Sequence, residues 1–173
     1  MISLAFEQTI QDGTQFNRTA LRTLSKHPDM GVSAPLVYIY TLSPSEPAIP
    51  YPRAPGRTIY IGETQRDTGS WQRFPAHFSG SLSSGLSTLI NHTLSVYYHS
   101  GRALNLRIFK VADGVTTKDA ERVLLRAHLH AFGAYPLGQG GTGKSNTPSE
   151  VARLFSEQEN IHRSCVELLG GAL

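Results

Sequence analysis

LVYIYTL, residues 36–42, is the stretch that decides how this chain folds. It is built of β-branched, aromatic and leucine side chains and holds neither glycine nor proline, so it reads as a strand. RTIYIGET, residues 57–64, has the same character and reads as its partner. Between them lies SPSEPAIPYPRAPG, residues 43–56, with five prolines in fourteen residues. Fixed φ angles and missing amide donors rule out a helix or inner strand there, so the pair is a hairpin with a long, stiff loop.

Working outward, LNLRIFKVAD, residues 104–113, alternates Leu104, Leu106 and Ile108 and supplies a third strand. TTKDAERVLLRAHLHAFG, residues 116–133, opens on a threonine cap with acidic residues and closes on Gly133, which predicts a helix. Leu86, Leu89, Ile90, Leu94 and Tyr97 recur at a helical period before the third strand. GSWQRFPAHFSG is a short helix or turn interrupted by Pro75, and SEVARLFSEQENIHRSCVELLG is a last helical region. Residues 1–34 read as an N-terminal extension, with Phe16, Ala20, Leu21 and Leu24 on one side of a short amphipathic helix. The expected fold is an α/β (α+β) domain over 35–173, a three-stranded antiparallel sheet flanked by helices, with the helical extension before it.

Composition bounds the setting. The chain has 173 residues, enough for one domain with a real core. Hydrophobic residues make up 39% and charged residues 17%, and the net charge of +3 suits a polyanionic partner without requiring one. The single cysteine, Cys165, forms no internal disulfide, so a reducing, cytoplasmic setting is the expectation. The start, MISLAFEQTIQDG, lacks the features of a secretory signal, and no apolar run has the ~18 residues of a membrane span.

GQGGTGKS, residues 138–145, fits the phosphate-loop pattern G-x-x-x-x-G-K-[ST]. Such a loop sits between a buried strand and a helix, and its fold needs parallel strands downstream. Here a helix precedes it, Pro148 follows closely, and the residues after Ser145 read as helix. Nucleotide binding through Lys144 and Ser145 is therefore the lesser alternative, and a Gly-rich insertion is the preferred reading.

Tyr38, Tyr60-Ile61-Gly62, Arg73, His77, Glu121 and Asn146 follow one another along the chain on strand, strand, helix, helix and loop. In that order they resemble the GIY-YIG nuclease family, over about residues 35 to 148. The family's first motif falls on Leu36-Val37-Tyr38, with leucine in place of glycine, and its second is intact as Tyr60-Ile61-Gly62, followed by Glu63-Thr64. The hairpin loop is longer than usual for the family, and the interval from Glu121 to Asn146 is stretched by the Gly-rich insertion.

The resemblance implies a DNA endonuclease that hydrolyses phosphodiester bonds by a one-metal mechanism. It implies Tyr38 as base, Tyr60 positioning water or phosphate, Arg73 and His77 on a helix, and Asn146 closing the motif set. Glu121 is the implied ligand of Mg²⁺, with Mn²⁺ as its substitute. The chemistry is coherent: a hard cation takes oxygen ligands and keeps waters, so one carboxylate and the phosphate oxygens suffice. An arginine fork suits the non-bridging oxygens. A phenol titrating near ~10 needs help from its surroundings to act as a base. Arg66, Arg102, Arg107, Lys110, Arg122, Arg126 and Lys144 are candidates for a phosphate track, and Arg53 and Arg57 place positive charge in the long loop. The expected partner is DNA, no membrane is implied, and a homodimer is compatible with this reading. A catalytically inactive nucleic-acid-binding module is the alternative.

Overall fold

The computed structural model describes residues 2–11, 35–65 and 89–139. Its strands are β1 (Ile2–Ile10), β2 (Leu36–Leu42), β3 (Ile49–Pro50), β4 (Pro55–Gly56), β5 (Thr58–Thr64) and β6 (Leu104–Val111). Its helices are α1 (Leu89–His99) and α2 (Thr117–Phe132). The amphipathic stretch at Phe16–Leu24, the segment around Pro75 and the final helical region lie outside the described residues.

The fold is mixed α+β, and its sheet has four antiparallel strands in the order β1-β6-β2-β5. The expected three strands are present, at nearly the expected bounds. The fourth is a correction: residues 2–10, assigned from sequence to a helical extension, pair along β6 from Ile2 opposite Val111 to Ile10 opposite Leu104. A bulge between Leu4 and Phe6 breaks the two-residue alternation, which hides the strand from a periodicity argument. Once paired, Glu7 meets Arg107 at 2.8 Å and the Thr9 hydroxyl donates to Asn105 Oδ1 at 2.9 Å.

Every residue of β2 is buried, as an inner strand covered on both faces must be. On one face Leu36, Tyr38, Tyr40 and Leu42 stand in register with Lys110, Ile108, Leu106 and Leu104. On the other, Val37 and Ile39 stand in register with Phe109 and Arg107 of β6, and Ile39 also faces Ile61 of β5. Each fully buried large apolar side chain contributes roughly 1.5–3 kcal/mol, so this double row dominates the stability of the sheet.

The Pro-rich loop folds back on the domain. β3 and β4 form a two-residue ribbon, short because proline offers no amide to extend it. Arg57 Nη1 donates to the carbonyls of Ser43 and Glu46. The Glu46 carboxylate accepts from the Ala103 amide at 3.0 Å and from Arg102 at 3.1 Å, contacts that hold its carboxyl below the usual range. Arg53 Nη1 donates to His130 O at 2.8 Å, and the Arg53 amide donates to Phe132 O, which satisfies carbonyls at the end of α2. The two arginines that place positive charge in the loop thus also fasten it to the domain.

α2 has the ends its sequence predicts. The Thr116 side chain accepts from the Asp119 amide, and Gly133 closes the helix in the left-handed region at φ 76°. Glycine is required there twice over, since a Cβ would also stand 2.8 Å from Arg53 Cγ. Near that end the His128 ring lies against Tyr51 (4.8 Å between centroids, edge-on) and Phe132 (4.6 Å). His128 Nδ1 donates to Ala134 O at 2.7 Å, and its buried Nε2 has no hydrogen-bond partner in the described structure. The Tyr51 hydroxyl donates to Thr58 O at 2.5 Å and accepts from the Leu137 amide at 3.2 Å. Loop, helix and following segment are clasped at one point. Among the described residues no helix is long and apolar enough to cross a membrane.

Burial pulls the His128 pKa down to about 4. An unfolded histidine takes its proton near ~6.5. The folded state therefore binds fewer protons between those values, and stability falls as pH drops through that window. Urea denaturation from about pH 7 to about pH 4 should lose about 3 kcal/mol through this residue, and His128→Phe should flatten that part of the profile. An unchanged slope in the variant would contradict the assignment.

Candidate functional site

The hairpin register sets the geometry. Tyr38 pairs with Gly62, and Tyr40 pairs with Tyr60. Strand alternation puts all four on one face of the sheet. The Tyr38 ring leans over Gly62 and meets Tyr60 with centroids 6.0 Å apart at 36°. A Cβ on residue 62 would stand 2.6 Å from Tyr38 Cζ, from the Tyr38 hydroxyl oxygen and from Tyr60 Cε1. Only glycine leaves room for the two rings.

The two phenols are not equivalent. Tyr38 is fully buried, whereas Tyr60 is half-buried and keeps part of its surface open. Tyr40, which the sequence reading did not single out, completes the row. Its ring meets Tyr38 edge-on at 6.0 Å and 82°. Burial, then the neighbouring Tyr38 and Tyr60 phenols, push the Tyr40 pKa well above the ordinary value. The signal was present: residue 40 is two positions from residue 38 on a strand of period two.

Glu121 sits half-buried on α2. That helix runs antiparallel to β5, because the Thr117 hydroxyl donates to Glu63 Oε2 at 2.6 Å at one end and the Phe132 ring abuts Gly56 at the other. Glu121 follows Thr117 by one turn, about 6 Å along the axis. At about 3.3 Å per strand residue, that brings it level with Ile61, in the middle of the Tyr60-Ile61-Gly62 motif. Arg73, His77 and Asn146 lie outside the described residues.

A single carboxylate can serve a hard cation that completes its shell with phosphate and water oxygens. Among the described residues no group of three or more His, Cys, Asp or Glu side chains forms a protein-only metal cage. Glu63, the nearest acidic residue in sequence to the motif, is tied to Thr117.

The basic residues are more constrained than a list of arginines suggests. Arg102 is paired with Glu46, Arg107 with Glu7 and Arg122 with Asp119. Lys110 is exposed, while Arg126 buries Nη1 without a hydrogen-bond partner in the described structure. Arg66 and Lys144 lie outside the described residues.

The first glycine of GQGGTGKS has a structural task. The Gly138 amide donates to Ile59 O at 2.8 Å, extending bonding along the outer side of β5. It is preceded by α2 and a turn rather than by a buried strand. Residues 140–145 lie outside the described residues.

No family profile, no curated protein and no solved structure matches the chain.

Gly62→Ala should force the two rings apart and destabilise the fold by about 1–3 kcal/mol, the usual range for overpacking a filled site. Gly114→Ala, where a Cβ would meet nothing within 4 Å, serves as the comparison for backbone strain alone. Its φ of 81° already disfavours alanine, whereas Gly62 has no positive φ. Near-UV circular dichroism of Gly62→Ala should therefore lose tyrosine signal that Gly114→Ala keeps. Equal spectra would contradict the packing described.

Proposed function

We propose that this chain is a divalent-metal-dependent DNA endonuclease of the GIY-YIG type. The observation that carries the reading is the Tyr38 ring seated over Gly62 beside Tyr60, each tyrosine from one strand of the hairpin. Glu121, half-buried on α2, is the carboxylate that the resemblance assigns to the metal.

In the proposed reaction a water oxygen attacks phosphorus, the bond from phosphorus to the leaving oxygen breaks, and the water proton passes to a phenolate of the Tyr38–Tyr60 pair. Tyr60 is the phenol with exposed surface and so the one placed to position water or phosphate; Tyr38, the base that the resemblance implies, is fully buried beside it. Arg73 would hold the non-bridging oxygens through its N–H fork. His77 would return a proton to the leaving oxygen, and Asn146 closes the motif set, both by the resemblance. Glu121 would hold the Mg²⁺ or Mn²⁺ ion, which when bound supplies Lewis-acid polarisation of the phosphate.

Supercoiled plasmid with Mg²⁺ or Mn²⁺ is the test. The wild type should nick or linearise it. Glu121→Ala and Tyr60→Phe should each lose at least about 100-fold in rate, the usual cost of removing one transition-state contact. Lys144→Ala should retain its activity, since the proposed site does not include residue 144. Binding without cutting of duplex or branched DNA with either ion would overturn the reading in favour of an inactive binding module.

A further inference from the structure

We infer that His128 is the pin of an acid-released clasp: when its ring takes a proton, residues 133–139 let go of the outer edge of β5 while the sheet stays folded. β5 is the last strand of its sheet, with no strand beyond it among the described residues. The Gly138 amide serves that edge by donating to Ile59 O at 2.8 Å. The Leu137 amide donates to the Tyr51 hydroxyl at 3.2 Å, and that hydroxyl donates in turn to Thr58 O at 2.5 Å. His128 Nδ1 donates to Ala134 O at 2.7 Å. Three hydrogen bonds thus tie the strap down, while the Leu137 side chain is exposed and adds little burial. A segment held in this way opens at lower free energy than a buried inner strand.

The imidazole is fully buried, edge-on to Tyr51 at 4.8 Å and tilted against Phe132 at 4.6 Å. Because Nδ1 carries the hydrogen given to Ala134, Nε2 carries the lone pair, and it is sealed without a partner. A proton added there creates a donor with no acceptor and a charge with no counterion, both costly in an apolar site. The loop brings Tyr51, whose phenol burial keeps neutral, and Arg53, whose guanidinium is bonded to His130 O. The titratable residues of β2 are tyrosines, and β5 adds Tyr60 and Glu63, the latter bonded to Thr117 at the opposite end of α2. On α2 itself Arg126 and His130 are two positions away and so on other faces, and Glu121 is about 10 Å away along the axis. Tyr135 follows in the strap. Burial therefore dominates, and the Ala134 bond, which favours the charged ring, offsets only part of it. Once the strap swings off, the ring reaches water and takes its proton in the ordinary range.

Amide hydrogen exchange of the full chain, corrected for the intrinsic effect of pH, tests this. A ring that titrates near ~6.5 when open and at about 4 when closed raises the opening constant about 20-fold from about pH 7 to about pH 5. The Leu137 and Gly138 amides should lose protection by that factor, and at both pH values they should exchange faster than the amides of β2. In His128→Phe the pH step should vanish. Tyr51→Phe, which deletes the hydroxyl that accepts from Leu137, should speed Leu137 exchange at both pH values and keep the step. Strap amides as well protected as those of β2 would mean that release needs global unfolding, which overturns the proposal. A wild type without the step overturns it too, the aromatic rings then holding the charged imidazole in place. So does a step that survives in His128→Phe.

Discussion

Tyr38 lies across β5 only because residue 62 has no Cβ. Everything else at the site follows from that one vacancy of volume. The register pairs residues 38 and 62, so the ring of one is aimed at the backbone of the other. Tyr60, two residues before Gly62, then supports the ring from the side, and Tyr40 closes the row. A one-residue slip of the hairpin would turn all of these side chains to the opposite face. Register therefore sets the geometry of the tyrosine cluster, and it is held by the buried rows on both faces of β2.

The long loop supports the register from a distance. A flexible connection of this length would leave the hairpin ends weakly coupled. Instead Arg57, Glu46 and Arg102 tie the loop to the sheet, and Arg53 and Tyr51 tie it to α2. The helix in turn is fixed at both ends, by Thr117 on Glu63 of β5 and by Phe132 on Gly56 of β4. The loop's proline content, puzzling in a hairpin, lowers the entropy lost when it adopts this docked path.

Much of this was legible in the sequence. LVYIYTL and TIYIGET declare themselves by composition, and α2 by its Thr116 cap and Gly133 terminus. β1 was not legible, because its bulge breaks the alternation and its polar Glu7, Gln8 and Thr9 find partners only across β6. The docking of Arg53 and Arg57 was equally hidden: their targets are backbone carbonyls, which any sequence has. Gly138 shows the same limit from the other side. A motif match specified phosphate chemistry, while the amide concerned bonds to Ile59. Within the candidate site the order of Tyr38, Tyr60 and Glu121 was readable. That Tyr38 is enclosed and Tyr60 open depends on what packs over each ring, which no local pattern encodes.

The central claim is that Glu121 and the Tyr38–Tyr60 pair serve one phosphate. Crystals of the Tyr60→Phe protein with a short DNA duplex and Mn²⁺, measured for anomalous scattering, test it most directly. The account predicts one manganese on the Glu121 carboxylate, sharing an oxygen of a phosphate that lies beside the residue 60 ring. Manganese held by Lys144-adjacent backbone and Ser145, or a phosphate remote from the tyrosine row, would contradict it.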